Sequence, residues 1–448
     1  MKRLLTYILI AVLILMLADC GGQQESGQAS IAEDNMVTVD SSGTQDLMDS
    51  SWQKIADESE IDQYYDNLYG EENTGRSIRS SALELYKAIA LEDIRKGENT
   101  MISPLSFLSA MGLLENGAKD QTLTEIEEAF GVSIDSFNSW YDAWTKLMML
   151  GGDNSLKNAN SVWFRTDPHL RVSEEYLKKT KEIFDAQAYA ASFDEETLDD
   201  INGWVKENTD GMIPAILDDI PKDAMMFLIN ATCFEGAWLN EYEDDQIKEG
   251  ETFTREDGTK EDATLLYSLE KGGLYFENEN LTGTSKDYAN GFRISFFLPK
   301  EGKTVSDILD SLEGDDISDI MSEGQTADVH LYIPEFSFDY TAPDCIGALK
   351  GMGIETVFDE DMADLSPMAV MDNGYNLSVS EVIHKTRIEL DREGTRAAAS
   401  TAIGIVKNTA LMQDVPEKEV RLDRPFIFMI SDTQTDTPIF MGNVSGIS

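Results

Sequence analysis

The segment Asp391-Arg392-Glu393-Gly394-Thr395-Arg396-Ala397-Ala398-Ala399-Ser400-Thr401 decides the fold, because a glycine opens an unusual run of very small side chains. It follows a strand-like stretch over residues 386–390 and leads into a polar loop. If the segment from Thr395 onward forms a strand, alternate side chains lie on opposite faces. One face then suits burial, and the other carries the only charge, Arg396. Small side chains let a strand enter an existing sheet without overpacking its core. The pattern therefore fits either a flexible surface loop or a strand able to join a sheet.

The composition is that of a folded protein with an acidic surface. The 448 residues include 84 Asp and Glu against 35 Lys and Arg, a net charge of -49, and 42% are hydrophobic. That hydrophobic content excludes a disordered chain, and the length fits one large domain better than several small ones. The charge argues against nucleic acid and against a basic surface that binds anionic lipid, since both need clustered cations.

The N-terminus has the pattern of an export signal. Two basic residues precede an apolar run over residues 4–17, which is shorter than the about 20 residues of a membrane span but suits a secretory signal. Residues 1–20 resemble a bacterial lipoprotein signal, in which Cys20 is lipidated after cleavage. Asp19 departs from the small residue usual there, so an uncleaved anchor is the alternative. In both cases we expect an exported chain, either a cell-surface lipoprotein or an extracellular protein.

The remainder divides into a spacer and a body. Residues 21–75 contain 13 acidic residues and one basic residue, Lys54, and we predict a flexible acidic spacer there. Trp52, Tyr64, Tyr65 and Tyr69 predict a short helix near its end. Residues 76–448 are predicted as one α+β domain, with helices mostly early and strands mostly late. The predicted helices cover 80–94 and 123–130, and the predicted strands cover 160–165, 226–234, 292–298, 329–338 and 426–431.

The sequence carries no recognisable catalytic motif. Its three histidines and three cysteines share no ligand spacing and no paired framework, which argues against a zinc site or a disulfide scaffold. It contains no Gly-x-Ser-x-Gly elbow, phosphate loop, dinucleotide fingerprint or calcium loop. We therefore expect a protein that is not an enzyme and that needs no metal or cofactor.

Six motifs in order along the chain carry a resemblance to a known family. They are NTMISPLS at 99–106 with ENGA at 115–118, INGWV at 201–205 with TDGMI at 209–213, LINA at 228–231 with FEGAW at 234–238, VIHK at 382–385, DRPF at 423–426 and FMGNV at 440–444. From about residue 76 to its end, the chain resembles the serpins, the serine protease inhibitor fold. The resemblance implies an α+β serpin fold, with N-terminal helices packed on a large central sheet, smaller sheets and an exposed reactive loop at about 392–422.

The resemblance also implies roles for buried polar residues. Ser103, Ser106, Asn230 and His384 fall where serpins place the shutter, a hydrogen-bond network beneath the central sheet. Trp238 falls at the breach, where the reactive loop enters that sheet. Buried polar groups need partners, so a structural role and a functional role nearly coincide here. A catalytic pair formed by Ser103 and His384 is accordingly not expected.

For the reactive loop the resemblance implies suicide-type inhibition of a serine protease, or also of a cysteine protease. The target forms an acyl-enzyme on one loop bond, and the cleaved loop then inserts into the central sheet. The hinge residues are Gly394, Thr395, Ala397, Ala398, Ala399, Ser400 and Thr401. Counting from Gly394 places the scissile bond at Asn408-Thr409. The alternative is the preceding bond, Lys407-Asn408.

Two features depart from the family pattern. The stretch from the expected scissile bond to Asp423 is long, and Arg392 stands where the family usually has a glutamate, which bears on an ion pair at the breach. The alternative function is a non-inhibitory serpin that acts as a binding protein, although the small hinge residues favour an inhibitor. The expected partners are thus a protease at the loop and a membrane only through a lipid at Cys20, with no nucleic acid and a monomeric chain.

Overall fold

The structure is a computed structural model that describes residues 36–39, 43–70, 74–151, 155–222, 224–395 and 415–447. The predicted export signal, with Cys20, lies outside these residues. The described residues from Met36 onward form a single compact unit. None of the helices in the described ranges is long and apolar enough to cross a membrane.

The helices lie mostly in the first half of the described chain. They are α1 Ile61–Tyr69, α2 Thr74–Arg95, α3 Pro104–Glu115, α4 Asp120–Phe130, α5 Ile134–Gly151, α6 Glu174–Phe184, α7 Glu195–Asn208, α8 Val305–Ser311, α9 Asp316–Ser322 and α10 Cys345–Gly351. Both helices predicted for the body are confirmed, as parts of α2 and α4. Gly131 ends α4 in the left-handed conformation, with a φ of 61°, which favours glycine. The short helix predicted near the tyrosines is α1.

The strands dominate the second half. They are β1 Met36–Thr38, β2 Gln45–Asp46, β3 Thr100–Ile102, β4 Leu156–Arg165, β5 Leu170–Ser173, β6 Gln187–Ala191, β7 Met226–Phe234, β8 Gly236–Ala237, β9 Ile247–Thr254, β10 Lys260–Glu277, β11 Leu281–Asp287, β12 Phe292–Pro299, β13 Gln325–Pro334, β14 Phe336–Thr341, β15 Ala369–Met371, β16 Lys385–Leu390, β17 Gly394–Thr395, β18 Glu417–Arg421, β19 Phe426–Asp432 and β20 Pro438–Val444. This distribution confirms the α+β prediction.

The strands form four sheets. The large sheet has the order β18-β13-β10-β11-β12-β19-β20-β3, and β9 also pairs with β10. Two four-stranded sheets have the orders β14-β16-β17-β8 and β2-β6-β4-β7, and a small sheet has the order β1-β5-β15. Because β8 follows β7 after a single residue, the two four-stranded sheets adjoin along the chain.

The buried helix α3 positions the central elements. Its mean hydropathy is high, its side chains are almost all buried, and it contacts both β7 and β20. A helix that is apolar on every side must lie in the interior. It begins at Ser103, whose side chain accepts a hydrogen bond from the Ser106 amide at 3.1 Å, and Pro104 occupies its first position.

The prediction of one strand over 329–338 is wrong, because the structure has two strands that belong to different sheets. β13 pairs with β10 and β18 in the large sheet, whereas β14 pairs with β16. The break falls at Pro334 and Glu335. Proline has no amide hydrogen to donate to a ladder, so a strand readily ends or changes partner there.

The prediction of a flexible spacer over 21–75 is wrong for residues 36–39 and 43–60. These residues and the segment 61–70, which contains the predicted helix α1, are here called the N-terminal strap. In the strap, β1 pairs with β5, β2 pairs with β6, and Tyr64 and Leu68 of α1 are buried. Strands of two and three residues leave no periodic pattern in a sequence. Their backbone groups are satisfied by ladders already present in the body, which the composition of the segment does not reveal.

Candidate functional site

An unpaired seam separates β7 from β16. β7 pairs with β4 along residues 226–234, and β16 pairs with β14 along its full length. The two strands approach each other, yet within the described residues no ladder joins β7 to β16. Each strand therefore offers an edge of backbone donors and acceptors to a strand inserted between them.

The hinge already occupies the upper end of this seam. Gly394 pairs with Ala237 of β8, and Thr395 pairs with Gly236 on one side and Leu390 of β16 on the other. Gly394 has a φ of 151°, and a Cβ added there would lie 2.0 Å from the Gly236 carbonyl oxygen. Both the conformation and the close approach require glycine. The hinge thus enters the sheet through a position that admits no side chain.

Aromatic side chains hold the seated hinge. Trp238 donates from its ring to the Asp391 carbonyl at 2.9 Å and from its backbone to the Glu393 carbonyl at 3.1 Å. Its ring stacks on Tyr288 with centroids 4.7 Å apart and planes 6° from parallel. The Tyr288 hydroxyl lies 2.5 Å from the Thr395 hydroxyl, and both side chains are buried. Burial raises the pKa of Tyr288, so this hydroxyl stays neutral.

A buried ion pair lies behind these rings. The Lys286 ammonium is 2.6 Å from the Glu270 carboxylate, and its side chain is only 2% exposed. It also sits 5.5 Å from the centre of the Trp238 ring and 4.8 Å from that of Tyr242. Rings over a desolvated ammonium add a cation–π attraction to the ion pair. The pair therefore helps to fix the Trp238 ring, which contacts the hinge.

Arg392 makes its own ion pairs just before the hinge glycine. It lies 3.6 Å from Asp244 and 4.0 Å from Glu335, with 44% of its side chain exposed. Burial raises the pKa of Glu335, and Arg392 partly offsets this increase. The arginine thus pairs with acidic residues of neighbouring segments. These ion pairs are separate from the buried pair of Lys286 and Glu270.

His384 lies immediately before β16, at the lower end of the seam. Its Nε2 accepts a hydrogen bond from the Ser103 amide at 3.0 Å, and its ring packs 4.6 Å from Phe107. Burial lowers its pKa to about 3, so the ring is neutral at neutral pH. The Ser103 hydroxyl accepts from the Ser106 amide instead of facing the ring. Ser103 and His384 therefore lack the hydroxyl-to-imidazole contact of a catalytic pair.

Asn230 belongs to a separate polar group on β4 and β7. Its amide donates to Asn158 at 2.6 Å and to Asn160 at 2.8 Å, and it accepts from the Thr232 hydroxyl at 2.6 Å. Asn158 in turn donates to Ser109 of α3 at 3.0 Å. The four expected shutter residues thus fall into two hydrogen-bonded groups, both anchored on α3.

Several predicted positions lie outside the described residues, and sequence reasoning also missed several partners. The positions outside are Ala397, Ala398, Ala399, Ser400, Thr401, Lys407, Asn408, Thr409 and Cys20. The missed partners include Asn158 and Asn160, whose spacing of two places both on one face of β4 and is a signal that the sequence does contain. Tyr288 is different, because it follows β11 and only the tertiary fold brings it to Thr395.

Within the described ranges, no group of three His, Cys, Asp or Glu side chains is arranged to hold a metal ion. The buried polar residues of the site are instead bonded to one another and to the backbone. The arrangement can hold the hinge and receive a strand between β7 and β16.

Comparisons with known proteins agree with this geometry. A family model described as Serpin (serine protease inhibitor) matches residues 76–447. An uncharacterized serpin-like protein of Thermococcus kodakarensis is 28% identical over 452 residues, covering 98% of this chain and 98% of that protein. Serine proteinase inhibitor 2.4 of Apodemus sylvaticus is 28% identical over 377 residues, covering 81% of this chain and 86% of that protein.

Solved structures extend the likeness to three dimensions. The thermophilic serpin tengpin in its native state has a TM-score of 0.75 at 33% identity, covering 90% of this chain and 100% of that one. Human thyroxine-binding globulin has a TM-score of 0.71 at 22% identity, which shows a shared fold alone. The family model spans residues 76–447, almost the whole α+β body, so this chain belongs to the serpin family.

Proposed function

We propose that this protein is an exported inhibitor of serine proteases that traps its target as an acyl-enzyme. The protease serine oxygen attacks a loop carbonyl and forms an ester, and the loop nitrogen leaves as a new amino terminus after taking up a proton. The freed loop then inserts along the seam and carries the attached protease with it. Family relatives named as serine protease inhibitors support this function.

The single observation that carries the proposal is the hinge seated at the top of the seam. Gly394 and Thr395 already pair with β8 and β16, while below them no ladder joins β7 to β16 within the described residues. β7 offers nine residues, about 30 Å at 3.3 Å per residue. The twelve residues 395–406 would extend about 40 Å, enough to fill that length.

Insertion would release free energy because it satisfies the edges on both sides of the seam. Each new backbone hydrogen bond contributes roughly 1 kcal/mol net, so a fully paired strand is worth several kcal/mol. Apolar side chains of the loop would be buried in addition. A native state that withholds this pairing is metastable, which is what a trap requires.

The geometry of the polar residues supports an inhibitor over a hydrolase. Ser103 is fully buried, its hydroxyl is occupied by the Ser106 amide, and His384 accepts from a backbone amide. Neither group can reach a substrate. The protease would therefore supply the catalytic chemistry, and this chain would supply the substrate loop and the sheet.

The test is incubation with a panel of serine and cysteine proteases, followed by denaturing gels and mass spectrometry. We expect a denaturant-stable complex with at least one serine protease and a released peptide that begins near Thr409. The control is the same protease with its catalytic serine blocked, which must give no complex. Cleavage of the loop without any complex would favour the alternative, a non-inhibitory binding protein, and would overturn the trap.

Export and lipid attachment at Cys20 form a second part of the proposal. They rest on the basic start, the short apolar run and the polar stretch that follows. Metabolic labelling with palmitate should tag the wild type and a Cys233→Ala control, whose cysteine is buried in β7. Labelling should be absent in Cys20→Ala, and equal labelling of that variant would exclude attachment at this position.

A further inference from the structure

A cleft with a charged rim lies where the strands β9, β12 and β18 end. Its volume is about 560 Å³, within the range of about 300–1,000 Å³ that is usual for small-molecule sites. Its lining residues lie within the segments 254–256, 299–305 and 423–425. We propose that this cleft, called the basic cleft here, binds a small organic anion, which carries a carboxylate or a phosphate on an apolar body.

The charge of the basic cleft differs from that of the chain as a whole. The charged residues that line it are Arg255, Lys303 and Arg424 against Glu256 and Asp423. In the whole chain, by contrast, 84 acidic residues outnumber 35 basic ones. The two oxygens of Asp423 lie 3.3 Å from Arg421 and 3.4 Å from Arg424, so this carboxylate is already neutralised. The cleft therefore presents positive charge to a ligand, and an anion is the complementary partner.

Two guanidinium groups of the rim are held in place by the protein. Arg255 donates to Glu261 at 3.0 Å and to the Gly97 carbonyl at 2.8 Å, with 30% of its side chain exposed. Arg424 donates to the Pro299 carbonyl at 2.9 Å. A guanidinium has five N–H donors, so each arginine keeps donors for a ligand after these bonds are made. Because the groups are already ordered, a ligand loses little free energy in ordering them.

Lys303 supplies a third cation, and this one has no competing partner. Its side chain is exposed, and among the described residues no carboxylate lies within ion-pair distance of its ammonium. The neighbouring Asp307 carboxylate accepts from the Thr304 amide at 2.9 Å instead. The ammonium can therefore form a charge-assisted hydrogen bond to a ligand without giving up a contact within the protein.

The floor of the basic cleft is apolar. Pro299, Val305 and Pro425 line the cleft and are buried. Proline fixes its own backbone φ, so two of these three residues hold the main chain of the floor in one conformation. An inorganic ion would leave most of the volume to water, because one water takes about 30 Å³ in the liquid. The floor therefore favours an organic anion whose apolar body covers it.

The basic cleft adjoins the strand on the C-terminal side of the reactive loop. That strand, β18, ends at Arg421, and the cleft begins two residues later at Asp423. The Asp423 carbonyl accepts from the Thr254 amide at 2.8 Å, which joins this part of the chain to the end of β9. A ligand held by Arg424 and Lys303 would add a link to the segment after β12. We therefore expect a bound anion to slow amide hydrogen exchange in β18.

The test measures binding of phenyl phosphate and of phenylacetate to the full-length protein by titration calorimetry at constant ionic strength. Inorganic phosphate is the comparison, because it supplies the anion without an apolar body. We expect one site per chain for at least one of the two organic anions, and the tighter of the two identifies the anionic group. Inorganic phosphate should bind at least about ten-fold more weakly than that probe.

Three variants locate the binding in the basic cleft. Lys303→Met should weaken binding by about ten-fold, because it removes one charge-assisted hydrogen bond. Lys271→Met is the matched control, since it removes the same charge from an exposed lysine of β10 outside the cleft, and it should bind as the wild type does. Glu256→Gln should bind up to about five-fold more tightly, because it removes the exposed carboxylate of the rim. Melting temperatures check that all three variants fold.

Three results would overturn the inference. Equal weakening in Lys303→Met and Lys271→Met would show general attraction to positive charge instead of a site. Inorganic phosphate that binds as tightly as both organic anions would exclude a role for the apolar floor. Absence of saturable binding for both organic anions would exclude the site itself. The measurement uses no protease, so each of these results leaves the proposed function standing, and a chain that traps no protease would still bind the anion.

Discussion

The Tyr288 hydroxyl lies 2.5 Å from the Thr395 hydroxyl, so the first inserted side chain of the hinge has a buried partner before any cleavage. Thr395 is 3% exposed, and Trp238 holds the turn before Gly394 in place by donating to the carbonyls of Asp391 and Glu393. This contact makes the seated hinge a measurable state of the native protein.

Removal of the Tyr288 hydroxyl should loosen the seated hinge. In Tyr288→Phe the buried Thr395 hydroxyl loses its partner, at a cost of about 1–3 kcal/mol to the seated state. We expect amide hydrogen exchange at Gly394 and Thr395 to accelerate by roughly ten-fold or more. Tyr176→Phe is the control, because its buried hydroxyl has no partner within the described residues. Unchanged exchange at the hinge would contradict the holding role of Tyr288.

Replacement of Thr395 by arginine should convert the inhibitor into a substrate. A long cation would enter a buried position in a cluster that already holds the Lys286 ammonium, and an unpaired buried charge costs several kcal/mol. Loop insertion should become slower than deacylation of the acyl-enzyme. More inhibitor molecules would then be cleaved for each protease molecule inactivated. Thr395→Val keeps the size of the side chain and should stay far closer to the wild type. A wild-type stoichiometry for Thr395→Arg would show that this residue is not part of the inserting strand.

Acid should destabilise the protein through His384. Its folded pKa is about 3 against an ordinary value of 6.5, so the unfolded state binds a proton more readily. The stabilisation is complete above pH 6.5 and is lost as the pH falls from 6.5 toward 3, with a ceiling of about 5 kcal/mol. Urea unfolding at several pH values should therefore show that the free energy of unfolding depends less on pH in His384→Gln than in the wild type. Parallel curves for the two proteins would contradict burial of a neutral imidazole.

Glu115 should act in the opposite direction. Burial, followed by the charge of Glu127, raises its pKa to about 8, and one of its oxygens has no partner among the described residues. Stability should fall as the pH rises from 4.5 toward 8, because the unfolded state releases the proton first. Glu115→Gln should gain up to about 3 kcal/mol at pH 7 and little at pH 4.5. The measurement is again the free energy of unfolding. An equal change at both pH values would contradict a raised Glu115 pKa as the cause.

A matched control for Glu115 is Glu125. Burial raises the Glu125 pKa, but hydrogen bonds from Thr356 and Glu355 outweigh burial and bring the pKa down to about 2. Its stabilisation is present above its ordinary pKa and is lost as the pH falls toward 2. Glu125→Gln should therefore weaken the protein at neutral pH, whereas Glu115→Gln should strengthen it.

The N-terminal strap should depend on Lys54. Its side chain is 3% exposed, and its ammonium lies 2.9 Å from Asp142 and bonds to the Ile183 carbonyl. Burial lowers the Lys54 pKa. In Lys54→Met the Asp142 carboxylate keeps Lys146 at 2.7 Å, so we expect a loss of only about 1–3 kcal/mol. Limited proteolysis within residues 43–60 should accelerate, and exposed Lys96→Met is the control. Unchanged proteolysis would mean that other contacts hold the strap.

The sequence by itself determined the family and the outline of the fold. Short motifs in fixed order identified the serpin resemblance, because they preserve local chemistry such as the Ser103 cap of α3. Regular apolar spacing predicted helices within α2 and α4, and strand β7 over 226–234. These features depend on neighbours within a few residues, and local spacing reports them directly.

Three features became known only from the tertiary structure. They are the order of the N-terminal strap, the division of residues 325–341 between two sheets at Pro334, and the bonding partners of the hinge and shutter residues. The strap has few apolar residues, and it is ordered because β5 and β6 offer free edges that its own composition does not reveal. Likewise, Tyr288 reaches Thr395 across 107 positions of the chain, and Asn230 bonds to Asn158 across 72. Such contacts arise from how sheets and helices pack, and side chains that meet only after folding leave no periodic trace in the sequence.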